Sequence, residues 1–307
     1  MIIILFLVSI IVFALVNILP GDPAVLLLGQ EATPQALAAL RDQLGLNDPL
    51  YIQYIHWIIN VLHGNLGYSL SDHTPVLNIL LQKIPVTLEL TIISFIIALL
   101  IAIPLGILSA TRKGSIWDYI STFGTLSGIS IPSFWLGILL IYFFSVKLGW
   151  FPPSGYVSPF RHFGQSIFLM ILPAFSLGIT LSAELTRMLR SSLLEVLQAD
   201  FIRTGYAKGL LKYAVVFKHA LKNALIPVLT VSGLQLATFF GGAVITETIF
   251  AIPGIGQLII NAILSRDFPV VQGTVLFMAF AVICINFLVD ITYSLLDPRI
   301  KLGEVSK

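Results

Sequence analysis

Charged residues are scarce in this sequence. Only 10% of its 307 residues are Asp, Glu, Lys or Arg, whereas 57% are hydrophobic, and the mean hydropathy is +0.97. A soluble domain carries about 25% charged residues. The composition therefore excludes an ordinary soluble domain and indicates a membrane protein. The net charge of +2 is too small to suggest a nucleic-acid partner.

Cysteine and catalytic motifs are also nearly absent. The single Cys284 lies in an apolar run, which excludes a disulfide framework and a cysteine-based metal site. His56 and His63 would lie about 10.5 Å apart along a helix, too far to share one ion directly. No His-Glu-x-x-His, Gly-x-Ser-x-Gly or phosphate-binding Gly-x4-Gly-Lys-Ser/Thr motif is found. We therefore expect no enzyme activity, metal or cofactor here, and any nucleotide that powers the protein must bind another subunit.

Long apolar runs dominate what is present. Each is long enough to cross a bilayer as a helix, which takes about 20 residues. The runs lie near residues 1–19, 86–110, 120–147, 167–186, 221–246 and 274–296. They are continuously apolar, which disfavours transmembrane strands. The first run lacks a basic n-region and a small-x-small cleavage site, which favours a span over a signal peptide. The sequence predicts an all-α membrane protein with six transmembrane helices.

Lysine and arginine are unevenly divided between the connections of these runs. Most of them lie in segments 111–119 and 187–222 and in the C-terminal tail. Basic connections stay on the cytoplasmic side, so this pattern predicts that both termini are cytoplasmic. Segment 20–85 is then extracytoplasmic, and its turn residues predict surface helices over 33–45 and 48–64. A helical lid on the bilayer and a docking surface for an external partner both remain open for this segment.

Small residues and prolines cluster inside the runs. Gly124-x-x-x-Gly128 followed by Pro132 predicts close helix approach and a bend in the third span. Bent spans fit a protein that changes shape around a pathway better than a rigid anchor.

Few carboxylates lie at membrane depth, and the candidates are Glu89, Glu184 and Asp290. Each lies within about two turns of a predicted span end, so contact with headgroups or water is favoured over a direct transport role. An ion pair of Asp290 with Arg187 or Arg190 is the structural alternative.

Segment 194–222 is a polar, basic interlude between two apolar runs. Apolar residues at helical spacing predict one helix from Leu194 to Lys208, ended by Gly209 in the left-handed region, and a second helix after it. The expected apolar stripes are Leu194, Leu197, Phe201, Ile202 and Gly205 in the first helix and Leu210, Ala214, Phe217, Leu221 and Ala224 in the second. A basic helix resting on anionic headgroups is one interpretation. The glycine turn favours the other, a structured corner that binds a cytoplasmic partner.

This segment resembles the cytoplasmic loop of ABC-importer permeases. The general loop reads Glu-Ala-Ala, three residues, Gly, nine residues and Ile-x-Leu-Pro, whereas this chain has Arg203-Thr204-Gly205, Gly209 and His219-Ala220-Leu221-Lys222. These departures are typical of the dipeptide/oligopeptide/nickel branch of the family. Landmarks of that branch follow in order: Leu19-Pro20-Gly21-Asp22-Pro23, Gly67-Tyr68-Ser69-Leu70, Thr87-Leu88-Glu89-Leu90, Ile103-Pro104-Leu105-Gly106, Ile131-Pro132-Ser133-Phe134, Phe250-Ala251-Ile252-Pro253-Gly254 and Leu296-Asp297-Pro298-Arg299. One departure is the apolar start at Met1, where the family usually carries a short basic stretch.

The resemblance implies a type I ABC importer permease (MetI-like) fold in a bacterial or archaeal plasma membrane. Its parts would be a first span at 1–19, an extracytoplasmic segment at 20–85 and a core permease domain at 86–307. Implied partners are a homologous second permease, two ABC ATPase subunits, an extracytoplasmic solute-binding protein and membrane lipid. The implied cargo is di- or oligopeptides, with nickel chelates or glutathione as alternatives. A nucleotide-independent secondary carrier is the alternative of a different class.

The resemblance also implies how such a subunit is driven. Segment 194–222 would rest in a cleft of the ATPase. Closure of two ATPases on ATP would move it as a lever and turn the spans from inward- to outward-facing. The residues expected to contact the ATPase are Asp200, Phe201, Arg203, Thr204, Ala207, Lys208, Gly209 and Leu210.

Overall fold

The computed structural model describes residues 2–18, 23–28, 33–43 and 45–296, and in these ranges the regular elements are helices. In chain order they are α1 (Ile2–Ile18), α2 (Pro23–Leu28), α3 (Pro34–Gln43), α4 (Leu50–Leu62), α5 (Val76–Thr111), α6 (Ile116–Ser130), α7 (Ser133–Leu140), α8 (Phe163–Leu197), α9 (Asp200–Ala207), α10 (Lys212–Ala214), α11 (Leu221–Ile249), α12 (Ile255–Leu264) and α13 (Phe268–Leu296). Wider π-helical turns follow α7 at Ile141–Lys147 and α10 at Val215–Ala220. The landmarks at 19–22 and 297–299 lie outside the described residues.

Four described helical stretches are long and apolar enough to cross a membrane: Val76–Thr111, Phe163–Leu197, Lys212–Leu236 and Phe268–Val289. The pair α6 and α7 makes a fifth if it is counted as one span. The apolar helix α1, over the predicted first span, has 17 described residues. The prediction of an all-α membrane protein is confirmed.

The third predicted span is not one continuous helix. Its two halves, Ile116–Ser130 and Ser133–Lys147, meet at an angle of 101°. Ile131 is extended, with φ −88° and ψ 120°, and the ring of Pro132 favours this geometry because it disfavours the helical region for the residue before it. The expected bend is confirmed, and it is sharp enough to break the span predicted over 120–147.

The fourth span also differs from its prediction, because its helix does not end near 186. Helix α8 has 35 residues and continues to Leu197. Its last turns are amphipathic, with Leu189 and Leu193 fully buried. Hydropathy locates the part of a helix that lies in lipid, and it does not detect a polar extension of the same helix.

The described residues form two compact units. One lies within Met1–Thr87 and Pro253–Ile283, and the other within Leu88–Ile252 and Cys284–Lys307. The core of the first unit joins the beginning of α5 to α12 and α13 through Val76, Leu80, Ala262, Val270 and Val271. In the second unit α8 packs against α6, α7 and α11.

The two surface helices predicted in the N-terminal segment are present as α3 and α4. The hydroxyl of Thr33 accepts a hydrogen bond of 3.3 Å from the Ala36 N–H, as expected of an N-cap. Gly45 (φ +66°) and Gly64 (φ +80°) follow the two helices in left-handed geometry. Helix α4 contacts α1, where the ring of Phe13 lies 5.4 Å from that of Tyr54.

Candidate functional site

The polar segment after α8 folds into two short helices joined by a tight corner. Gly209 has φ +77° after α9, so the predicted glycine turn is confirmed. The prediction of one helix from Leu194 to Lys208 is wrong, because α8 ends at Leu197 and α9 begins anew at Asp200. Ala199 between them is extended, with ψ 149°. The apolar spacing stays in phase across this break, so periodicity could not reveal it.

The predicted apolar stripe of the first helix is only partly buried. Ile202 is 1% exposed and anchors α9, whereas Phe201 is half exposed. Gly205 is partly buried, and a Cβ there would meet Leu210 and Val215 at ordinary contact distances. A single buried anchor therefore holds α9 to the rest of the unit, and its neighbour Phe201 faces outwards.

The stripe predicted for the second helix is only partly correct. Ala224 is buried as predicted, but Val215, Val216 and Ala220 are buried as well, whereas Leu210 and Phe217 are exposed. The cause is the π-helical turn, in which the Leu221 N–H bonds to the Val216 carbonyl five residues earlier. A turn that is one residue wider rotates the following side chains away from 3.6-residue spacing.

The eight predicted ATPase-contact residues all lie on the exposed surface of this corner: Asp200, Phe201, Arg203, Thr204, Ala207, Lys208, Gly209 and Leu210. Local bonds hold two of them in place. The Thr204 hydroxyl donates to the Asp200 carbonyl at 3.0 Å, and Arg203 lies 3.5 Å from the Asp200 carboxylate. The structure thus brings these residues together on one accessible corner.

Three exposed apolar side chains on the same corner were not among the predicted contact residues. Leu211 is 79% exposed and Tyr213 is 72% exposed, and Tyr206 is exposed as well. The rings of Tyr213 and Phe217 stack with their centroids 4.5 Å apart. Aromatic residues in an otherwise polar connection are the signal that could have identified them, since such residues are enriched in interface cores. We call the exposed apolar side chains of this corner the aromatic patch: Phe201, Tyr206, Leu210, Leu211, Tyr213 and Phe217.

A charged cluster ties α8 to its neighbours seven residues before α8 ends. The guanidinium of Arg190 contacts both carboxylate oxygens of Asp118, at 2.8 and 3.0 Å. Ser109, near the end of α5, donates to the same carboxylate, and the Gly114 N–H bonds to it at 2.9 Å. The sequence-based partner for Arg190 was Asp290, but the structure pairs Arg190 with Asp118. The side chain of Asp290 lies outside the described residues.

Two of the carboxylates predicted at membrane depth are held by protein groups. Glu89 accepts a hydrogen bond from the Ser166 hydroxyl, and Glu184 accepts one from the Gln235 amide. The expectation of headgroup or water contact is therefore wrong for these bonded oxygens. Glu89 also neighbours Tyr156, whose pKa is raised to about 12 by burial and by the Glu89 carboxylate.

A further buried carboxylate, like Asp118, was not among the sequence candidates. Glu247 is completely buried near the end of α11, just before the Phe250-Ala251-Ile252-Pro253-Gly254 landmark. Within the described part of the chain, no three His, Cys, Asp or Glu side chains are grouped closely enough to hold a metal ion.

Comparison with known proteins adds evidence from the whole chain. Residues 102–302 match the family described as "Binding-protein-dependent transport system inner membrane component", and residues 1–91 match "Binding-prot-dependent transport system membrane comp, N-term". The chain is 43% identical over 313 residues to the dipeptide transport system permease protein DppB of Alkalihalophilus pseudofirmus, which covers 95% of this chain and 94% of that protein. It is 41% identical over 318 residues to DppB of Escherichia coli K12, with 96% and 94% covered.

A solved structure shares the fold. A chain of the MetNI methionine ABC transporter, in an inward-facing conformation, aligns with a TM-score of 0.59 and 22% sequence identity. The alignment covers 71% of the present chain and 96% of that one. At this level of identity the likeness concerns the fold alone.

Proposed function

Because the chain belongs to the family of binding-protein-dependent transport system inner membrane components, we propose that it forms part of the path by which peptides enter the cell in an ATP-driven importer. It is a multi-pass permease subunit of an ABC transporter and is not itself catalytic. The family implies an ATPase and a solute-binding protein as partners. A homologous second permease and a pair of ATPases complete the assembly that we propose.

The peptide substrate is supported by the relatives. Two proteins named dipeptide permeases are 41% and 43% identical to this chain over nearly their whole lengths. Di- and oligopeptides are therefore the proposed cargo, ahead of glutathione and nickel chelates.

The aromatic patch is the observation that carries the proposed coupling to an ATPase. Soluble protein surfaces rarely expose large apolar patches, and such a patch usually marks a contact site. The same argument applies to this polar connection, which is predicted to lie outside the membrane. Here the patch has a polar rim that includes Arg203 and Lys208, both exposed. An apolar centre with a charged rim is typical of protein interfaces. The eight predicted residues and the patch share one corner, which we propose as the ATPase contact.

Two features would transmit movement of this corner into the membrane. Only Gln198 and Ala199 separate α9 from α8, and α8 is a single helix of 35 residues. Arg190 and Asp118 then join α8 to the beginning of α6, while Ser109 extends the connection to α5. ATP would drive transport because the closed ATPase dimer binds one arrangement of these helices more tightly than the other.

The test is uptake by the reconstituted complex. The chain, its second permease, the ATPases and the binding protein are placed in vesicles, and uptake of a radiolabelled dipeptide is measured with and without ATP. We expect uptake only when all components and ATP are present. Uptake by the chain alone, driven by an ion gradient, would instead establish a secondary carrier.

Competition identifies the cargo in the same vesicles. Unlabelled di- and oligopeptides should reduce uptake of the labelled dipeptide, whereas glutathione and a nickel chelate should not. Uptake of glutathione or nickel chelate in preference to peptides would refute the proposed cargo while leaving the permease class intact.

A further inference from the structure

The first unit contains a cavity of about 460 Å³, within the range of ligand-binding pockets. It is lined by parts of α1 and α4, by the loop Leu66–Leu70, and by the beginning of α13. All of these elements belong to the same compact unit. The cavity is separate from the corner proposed to contact the ATPase, which lies in the other unit.

The described lining of this cavity contains no Asp, Glu, Lys or Arg. Its polar groups are mainly side-chain amides, from Asn17, Gln53, Asn60, Asn65 and Gln272. Aromatic surface is supplied by Phe13, Trp57, Tyr68 and Phe268. Each amide can donate and accept hydrogen bonds at once, which matches the paired N–H and C=O groups of a polypeptide backbone.

Several of the lining polar side chains retain their hydrogen-bonding capacity, among them His56, Asn60 and Gln272. These three make no side-chain hydrogen bond to any other described residue. Gln53 behaves differently, since its amide donates to the Leu46 and Asp48 carbonyls at 3.2 and 2.8 Å and closes the wall. The cavity therefore combines groups that shape it with groups that remain available to an occupant.

Two parts of the cavity wall are held by contacts within the unit. Ser69 and the Leu70 N–H, on the loop wall, are bonded to the buried carboxylate of Asp267 at 2.5 and 3.1 Å. Elsewhere in the lining the ring of Phe13 packs 5.8 Å from that of Trp57. A site that is already ordered loses less entropy on binding.

We propose that this cavity receives an uncharged, extended loop of the solute-binding protein. The proposal rests on the proposed function, which supplies that partner. A free dipeptide carries an ammonium and a carboxylate, and a lining without Asp, Glu, Lys or Arg side chains offers neither group a permanent counter-charge. A phospholipid headgroup carries a phosphate, and the described lining offers no lysine or arginine side chain to bind it. The interior of a polypeptide loop has no such charges, and its amide groups and apolar side chains match the lining.

The test measures how well the binding protein stimulates ATP hydrolysis by the reconstituted transporter. Asn60→Ala and Gln272→Ala, singly and combined, should raise the binding-protein concentration for half-maximal stimulation at least tenfold in the double variant. ATP hydrolysis without binding protein, and uptake at saturating binding protein, should be unchanged. Tyr51→Ala is the matched control, because Tyr51 is exposed on α4 outside the cavity. An unchanged half-maximal concentration in the double variant overturns the proposal.

A crosslinking experiment identifies the occupant directly. Asn60→Cys, in a Cys284→Ser background, carries a short photoreactive probe. On illumination the probe should label the binding protein. When the binding protein is absent, free dipeptide should not protect the introduced cysteine from reacting with the probe. Protection by free dipeptide would make the cavity a substrate site, and probe transfer to lipid alone would make it a membrane contact. Either result refutes the loop proposal, while the uptake assay tests the transport function separately.

Discussion

The hydroxyl of Ser69 donates a hydrogen bond of 2.5 Å to the carboxylate of Asp267, across 198 positions of sequence. Asp267 is 3% exposed and also accepts from the Leu70 N–H at 3.1 Å and the Ser71 N–H at 3.4 Å. One buried carboxylate thereby holds the second half of the Gly67-Tyr68-Ser69-Leu70 landmark, together with Ser71. The landmark had been recognised only as a family resemblance, and this contact supplies its physical role.

Replacing Asp267 with Asn should loosen that loop. The amide would present donors where a carboxylate accepts, leaving buried N–H or O–H groups unpaired at about 1–3 kcal/mol. Thermal unfolding in detergent should shift downwards, and limited proteolysis should cut the loop faster. Asp72→Asn is the control, because Asp72 lies on the same loop with its side chain exposed. Equal behaviour of the two variants would contradict this role of Asp267.

Gly209→Pro should uncouple ATP hydrolysis from uptake while leaving membrane insertion intact. Proline requires φ near −65° and has no N–H, whereas Gly209 has φ +77° and donates to the Tyr206 carbonyl at 2.9 Å. Gly209→Asn should retain most coupling, because asparagine tolerates left-handed geometry. The measurement is the ratio of substrate taken up to ATP hydrolysed in vesicles. Full transport by the proline variant would refute the lever model.

The two glycines of the GxxxG pattern should differ in how much their substitution lowers stability. A Cβ at Gly128 would lie 2.9 Å from the Cβ of Ala183 on α8, whereas a Cβ at Gly124 meets nothing within 4 Å. Gly128→Leu should therefore force α6 away from α8, with a cost of about 1–3 kcal/mol from overpacking. Gly124→Leu should be nearly neutral. Thermal stability of the two purified variants compares them directly.

Asp118→Ala should destabilise the second unit and weaken coupling. It leaves the Arg190 guanidinium without its partner, at a cost of about 2–4 kcal/mol, reduced from the fully buried value because Arg190 is partly exposed. Arg187→Gln, on the exposed side of the same helix, is the matched control. Unfolding temperature and the uptake-to-ATP ratio should both fall for Asp118→Ala alone. A fall in stability with unchanged coupling would limit the cluster to a structural role.

Leu211→Ser combined with Tyr213→Ser should weaken ATPase binding without unfolding the permease. Both side chains are mostly exposed, so their removal costs the folded chain little. Loss of two apolar contacts from an interface centre should reduce affinity about tenfold or more. Co-purification of the ATPase measures this loss. Ile202→Ala is the contrasting variant. It leaves a cavity in the core and should lower the free energy of unfolding by about 2–5 kcal/mol.

Local patterns in the sequence predicted much of this molecule. Runs of apolar residues indicated the membrane-spanning helices, Pro132 indicated the bend, and Gly209 indicated the corner of the coupling segment. Each of these depends on a residue and its near neighbours, because hydropathy, ring geometry and left-handed backbone preference act over a few positions. The same locality allowed the family to be recognised from its ordered landmarks.

The tertiary structure alone decided which distant groups meet. The sequence offered Asp290 as a partner for Arg187 or Arg190, whereas the packing of α5, α6 and α8 pairs Arg190 with Asp118. The contact of Ser69 with Asp267 joins residues that no local pattern connects. Two local irregularities, the break at Gln198 and Ala199 and the π-helical turn after α10, also follow from packing. Residue spacing on one helix carries no information on the position of another helix, so the sequence pattern did not predict them. The sequence by itself determined that the chain spans a membrane and carries a glycine corner, while tertiary packing decided which side chains that corner exposes.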